Sequence, residues 1–341
     1  MRPSTLFLLC TLGALTLLLH YLPLFSRRGL WFAITVEPDF RDTPLGRRPL
    51  HYYRLMIWAA SLIAAMMLVA SDRFGADAAP ALAFLLQTGC AIGAFAWARR
   101  LVRPYAIAPP AKRMASLSSS QEGLPGGFLN LLPVAVLVAA ALYLRANWER
   151  IPDRFPKHWN FDGVPDAWAE RTFWGVYGPL LTGVLLIVFI LTLGYGIIHG
   201  SPRTRTVDSA KWTGRFRRAS LRLLLAAAWS LSGLFAAISL LPLMAADSRL
   251  PNVAILAPFA MLVILAPFAY QLVRVGLEAG SGTDGTPDSA WKLGQIYFNP
   301  SDPAILVTKR FGLGYTLNFG NRVSWFVIGL LLLAFAVAQI I

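Results

Sequence analysis

Eight stretches of apolar residues decide what this chain can fold into: Thr5–Phe25, Tyr52–Ala70, Ala78–Ala98, Phe128–Leu144, Phe173–Ile198, Leu221–Ala246, Val253–Val273 and Val323–Ile341. A membrane-spanning helix needs about 20 such residues, or ~17 at the short end. With only 14% of its 341 residues charged, the chain falls well short of the roughly one quarter found in soluble domains. The expectation is an all-α polytopic membrane protein of about eight transmembrane helices. Arg54 lies just inside the second stretch, where a long side chain can snorkel to the interface. The first stretch resembles a secretory signal in carrying Arg2 and an apolar core. That core runs too long, no small-x-small site follows it and Arg27-Arg28 stops it, so it reads as a retained helix. Cys10 and Cys90 both fall within spans, which excludes a disulfide framework and leaves them as small buried hydrophobes.

The net charge of +14 would point to nucleic acid in a soluble protein, but its distribution points to topology. With the N-terminus outside, loops 26–51, 99–126, 199–218 and 274–322 share one side. They hold 20 of the 31 Lys and Arg, against 8 on the other side, with the remaining three at helix edges. The acidic residues divide 9 to 8, so one face carries +11 and the other none. This is the positive-inside pattern. It predicts both termini outside a bacterial cytoplasmic (inner) membrane, although Arg2 counts against it. The basic runs at 99–104 and 203–218 are then lipid anchors, each cation contributing about 1 kcal/mol of attraction to anionic lipid. Direct nucleic-acid binding is not expected.

Two Pro/Ser/Gly-rich segments, 108–127 and 280–290, read as linkers. The expected layout is a three-helix membrane region (1–107), a flexible cytoplasmic linker (108–127) and a helix-loop-helix domain (128–198). Helices six and seven with a basic inner loop (199–273) follow, then a cytoplasmic linker with a β-hairpin (274–322) and a last helix (323–341). The hairpin is expected from Ile305–Arg310 and Tyr315–Phe319, joined through Phe311-Gly312-Leu313-Gly314. Asn299-Pro300 and Asp302-Pro303 before it are turn formers. A strand-like run, Phe32–Val36, opens the first inner loop, but the match between these two loops is too thin to define a repeat. Lys309 and Arg310 beside two glycines raise the possibility of anion binding. A turn explains the glycines more simply, and a hairpin that docks a partner is the stronger reading.

The spans carry almost no ionisable group. His20, near the end of the first, is the exception, and this argues against a proton-coupled pump. The polar chemistry gathers instead in residues 151–168, IPDRFPKHWNFDGVPDAW. In an extended backbone His158, Asn160 and Asp162 would share a face, with Asp166 near them. A calcium loop would need more ligands and a terminal Glu, and zinc would need a further histidine, so no metal is expected. No Ser, Thr or Cys stands beside the histidine to act as nucleophile. No cofactor and no catalytic site are expected. Pro152, Pro156 and Pro165 stiffen the segment, Gly163 permits a turn, and Trp148, Trp159, Trp168 and Trp174 suit the headgroup level.

Ile151-Pro152-Asp153, Phe155-Pro156-Lys157-His158-Trp159-Asn160 and Gly163-Val164-Pro165-Asp166, flanked by one helix on each side, resemble a domain of unknown function of bacterial membrane proteins. That domain also occurs in the immunity protein for the sporulation-delaying toxin of bacilli. The resemblance runs over residues 128–198. The stretch 291–320, with Asn299, Pro300, Asp302, Pro303, Lys309, Arg310, Gly312, Gly314 and Asn318, is similar to a companion domain of unknown function. The resemblance implies an immunity or signalling protein that meets a secreted peptide outside and a cytoplasmic regulator inside. The residues named from 152 to 166 would be its recognition motif. Two other classes remain open: a transporter or channel for an uncharged or amphiphilic substrate, and a membrane-embedded enzyme acting on lipid.

Overall fold

The computed structural model describes residues 3–75, 78–108, 127–159, 165–199, 207–244, 250–278 and 286–340. All eight apolar stretches are helices: α1 Pro3–Tyr21, α2 Pro44–Phe74, α3 Ala79–Val102, α4 Leu132–Ala146, α5 Phe173–His199, α6 Val207–Met244, α7 Leu250–Leu277 and α8 Arg322–Ile340. With the short 3-10 turns that extend α1, α3 and α4, each is long and apolar enough to cross a bilayer. This is a multi-pass membrane protein.

Two helices outrun their apolar stretches. α2 begins at Pro44 rather than Tyr52, because Thr43 caps it: its Oγ1 accepts from the Gly46 N–H at 3.1 Å. Its 31 residues span about 46 Å at ~1.5 Å per residue, well beyond the ~30 Å hydrocarbon core. α6 starts at Val207, so most of the basic run expected as an inner loop is helical. Residues 203–206 of that run lie outside the described residues, as do 109–126 and 280–285 of the two expected linkers. The cysteines depart from expectation too: Cys10 is exposed and Cys90 half-buried. A lipid-facing helix surface is as apolar as a packed one, so composition does not separate the two.

α2 packs on α1 and α3, while α5 is the centre of the second group, touched by α4, α6 and α8, with α7 against α6. Buried hydroxyls join neighbours: Thr16 Oγ1 lies 2.8 Å from Ser61 Oγ between α1 and α2, and Ser232 on α6 donates to the Pro133 carbonyl on α4 at 2.6 Å.

Among the described residues, four two-stranded antiparallel pairs sit outside the spans: β1 Leu30–Trp31 with β2 Ile34–Thr35, β3 Arg154–Trp159 with β4 Pro165–Glu170, β5 Trp291–Lys292 with β6 Ile296–Tyr297, and β7 Leu306–Thr308 with β8 Tyr315–Leu317. The expected hairpin is β7–β8, in the register Leu306↔Leu317, Val307↔Thr316 and Thr308↔Tyr315. The expected strand Phe32–Val36 is instead half of a hairpin that turns at Phe32 and Ala33, both with positive φ (45° and 60°). Such turns normally take Asn or Gly, and an L-residue pays about 1–2 kcal/mol for that conformation. Burial and hydrogen bonding offset it. Both residues are fully buried, Arg99 donates to both carbonyls (3.2 and 2.7 Å), and Phe32 stacks on Phe311 at 5.7 Å.

β1–β2 and β5–β6 meet on one face of the protein. A Cβ added to Gly294, in the turn of β5–β6, would lie 3.1 Å from the Ala33 Cβ. The helix ends nearby join the same assembly. Arg27 donates to Thr308 Oγ1 at 3.2 Å and covers the Trp212 ring at 4.6 Å, and Trp212 Nε1 donates to the Val275 carbonyl at 2.7 Å. Arg41 is held by the carbonyls of Ser26 and Arg27 at 2.8 and 2.9 Å. Burial, and then Arg28, pull its pKa below the usual guanidinium value, partly countered by Asp42. This is the basic face. β3–β4, between α4 and α5, stands on the opposite one, the hairpin face.

Candidate functional site

Within the segment 151–168, β3 and β4 form an antiparallel pair rooted in the helix bundle. Ile151, Phe155 and Ala169 are buried with Leu137 and Leu144 of α4 and Val176 and Leu180 of α5. Asp153 closes the base. Its carboxylate meets Arg171 Nη2 at 2.5 Å, and its carbonyl accepts from the Arg171 N–H at 2.9 Å. Trp148 stacks on Tyr177 at 6.0 Å, and Arg154 lies 5.2 Å from the Trp168 ring. Trp168 and Trp174 are exposed, as interfacial anchors would be. Thr172 caps α5 by accepting from the Gly175 N–H at 3.1 Å. A Cβ at Gly175 would stand 2.1 Å from the Glu170 carbonyl oxygen. Gly175→Ala is therefore expected to push β4 off α5 and cost about 2 kcal/mol. A lower thermal midpoint of the purified protein would show it, and an unchanged midpoint would mean the hairpin is not seated there.

The register of the hairpin explains its one conspicuous pair. Pro156 pairs with Trp168, His158 with Ala167 and Trp159 with Pro165. Lys157 is thus an extra residue on β3 and Asp166 an extra residue on β4, two compensating bulges on either side of His158. They set His158 Nδ1 2.5 Å from Asp166 Oδ1, with the two side chains 67% and 44% exposed. His158 thus pairs across the two strands with Asp166, and the shared face expected for His158, Asn160 and Asp162 falls on residues that are not all described. Asn160, Asp162 and Gly163 lie outside the described residues. Among the described residues, no three His, Cys, Asp or Glu side chains converge as metal ligands would.

Behind β3 is an open cavity of about 240 Å³. Phe155 and His158 of β3, Val176 and Pro179 of α5, and Ser239 and Pro242 of α6 help to line it. Sequence reasoning missed this cavity, because it depends on the packing of helix ends more than 60 residues apart.

The motif on the basic face has a structural role. Asn318 is fully buried. Its Oδ1 accepts from the N–H groups of Asn299 (3.0 Å) and Gly320 (3.1 Å), and its Nδ2 donates to the carbonyls of Asn299 (2.9 Å), Asp302 (2.9 Å) and Ala304 (3.1 Å). Tyr297 OH donates to Asp302 Oδ2 at 2.8 Å, and Asn299 and Asp302 each fold back on an N–H two residues on, at Ser301 and Ala304, the turn that Pro300 and Pro303 punctuate. Gly312 (φ 78°) and Gly314 (φ 105°) supply the positive φ that the β7–β8 connection needs. Lys309 is exposed beside it. Arg310 is fully buried and engaged: it pairs with Asp288, donates to the Thr286 carbonyl at 2.5 Å, and lies 5.3 Å from the Trp291 ring. Asp288 in turn accepts from Thr35 Oγ1 at 2.8 Å. The anion-binding idea for Lys309 and Arg310 loses its arginine to this latch. Thr35, Asp288 and Phe311, which tie the two ends of the chain together, were not among the expected site residues.

Two family models match this chain. Residues 135–192 match one described as a domain of unknown function (DUF1648), which contains the whole β3–β4 hairpin with most of its two flanking helices. Residues 300–325 match one described as a family of unknown function (DUF5808), which contains β7–β8 and the start of α8. No curated protein and no solved structure matches the chain.

Proposed function

We propose that this protein is a recognition protein of the bacterial inner membrane, of the immunity or sensing kind, and that β3–β4 receives a secreted peptide on the outer side. The exposed His158–Asp166 pair carries the reading. A side-chain pair as exposed as this contributes less than about 1 kcal/mol to stability, whereas Asp153, Phe155 and Ala169 hold the hairpin in place. The pair is therefore spare for contact with something else. The excess of cations on the opposite face supports placing the hairpin outside, and the likeness of the hairpin sequence to toxin-immunity proteins supports a peptide as signal. On the basic face, the β-hairpins latched to α1–α3 offer a cytoplasmic regulator its docking surface. The protein acts without catalysing a reaction.

Cells carrying the full chain are expected to survive an amphipathic, membrane-active peptide at about tenfold higher concentration than cells without it, with His158→Ala and Asp166→Ala each losing most of that margin. Membrane abundance of the variants should match the parent. Protection that survives both substitutions would sink the reading, and protein-dependent movement of a solute into vesicles would replace it with transport.

A further inference from the structure

We infer that the cavity behind β3 is a lipid site, built for the hydroxylated headgroup of an anionic phospholipid of the phosphatidylglycerol type. Its position is the first argument. Gly175, Val176 and Pro179 belong to the first two turns of α5, and Ile238, Ser239 and Pro242 to the last two of α6. Pro179 is therefore within about 10 Å of the helix end, the depth at which headgroups give way to hydrocarbon.

The second argument is hydrogen-bonding capacity. Ser239 is 3% exposed and its Oγ has no partner. Ser61, Ser220 and Ser230 also sit on helices, and each donates to the carbonyl four residues back at 2.8 Å. A buried hydroxyl left without a partner costs free energy that a bound donor or acceptor would recover. Two prolines add to this. Pro242 has no N–H for the carbonyl of Ile238, and Pro179 has none for that of Gly175. Both of those residues line the same cavity. One hydroxyl and two carbonyls left without their helix donors make an acceptor-rich lining, suited to a group that brings its own hydroxyl hydrogens.

Charge and size narrow the choice. Lys157 stands at the exposed rim, which suits a phosphate there, while the His158 imidazole beside it is already engaged by the Asp166 carboxylate. Phe155, Val176, Pro179 and Leu241 give apolar walls. At about 240 Å³ the cavity is smaller than the ~300 Å³ at which sites for drug-sized ligands begin. It takes a glycerol headgroup and leaves the acyl chains outside. The site is independent of the peptide reading, since hairpin-dependent protection can fail while lipid retention holds.

The full-length protein, extracted in detergent, is incubated with dioctanoyl phosphatidylglycerol, phosphatidylethanolamine or phosphatidylcholine, and bound lipid is read by native mass spectrometry. Phosphatidylglycerol should be retained roughly fivefold over the other two, and Lys157→Gln should erase that preference. Ser239→Ala should weaken retention by about two- to tenfold. The thermal midpoint without lipid reports folding, and both variants are compared with the parent well below it. Equal retention of all three lipids, or retention of phosphatidylglycerol untouched by both variants, overturns the proposal. Displacement of the lipid by glycerol 3-phosphate at equal concentration also overturns it, in favour of a soluble phosphate.

Discussion

Asn318→Ala is expected to destabilise the protein by about 3–5 kcal/mol and to remove most of it from the membrane fraction. The side chain is a hub for backbone groups that have nowhere else to turn. It gathers the Asn299 and Gly320 N–H groups and the carbonyls of Asn299, Asp302 and Ala304 into one fully buried cluster. Each buried group left unsatisfied costs roughly 1–3 kcal/mol, and the total is less than additive because the turn relaxes. Asn318→Asp separates hydrogen bonding from packing. It keeps the shape but turns an oxygen toward three carbonyls, and should be about as damaging as alanine. Fluorescence-detected size-exclusion chromatography after a heat step gives the midpoint. An aspartate variant within about 2 °C of the parent would show that the cluster does not hold the region around β7–β8.

The parts of this fold that were legible in the sequence are those governed by one short-range rule. Eight apolar runs give eight helices because length and hydropathy suffice to specify a span. The ends of α2 and α6 were not legible from hydropathy. α2 starts where Thr43 can cap it, and α6 gains polar turns beyond the hydrocarbon. β7–β8 was readable from its glycines, whereas β1–β2 was not, because Phe32 and Ala33 occupy a turn that sequence rules reserve for Asn and Gly. Burial against Phe311, far along the chain, and the Arg99 hydrogen bonds to both carbonyls offset the strain of that turn. At residues 151–168 the prolines and Gly163 pointed to a stiff turn, but neither the β3–β4 pairing nor the Asp153–Arg171 contact at its base was expected. The His158–Asp166 pairing arose from two offset bulges that no periodicity encodes. Ser239 is likewise indistinguishable in sequence from Ser230 or Ser232, both of which have partners.

Arg310→Met should undo the junction between the two ends of the chain. The guanidinium is fully buried against Asp288, Thr286 and the face of Trp291, and Asp288 passes the contact on to Thr35. Removing one partner of a buried pair costs about 3–5 kcal/mol, mostly because the other charge stays behind. Asp288 is 30% exposed, so water relieves part of that and the low end of the range applies. Arg310→Lys keeps the charge but loses the planar fork and the stacking, and should recover little. Adding Asp288→Asn to Arg310→Met removes the stranded charge and should recover more than lysine does. Hydrogen exchange distinguishes local undocking from global loss. Amides of β1–β2 and β7–β8 should lose protection together, while those of α5 and the β3–β4 hairpin keep theirs. If β7–β8 alone loosens, Asp288 is not the link between the two ends, and Phe311, seated among Phe32, Tyr53 and Phe95, holds the N-terminal helices without it.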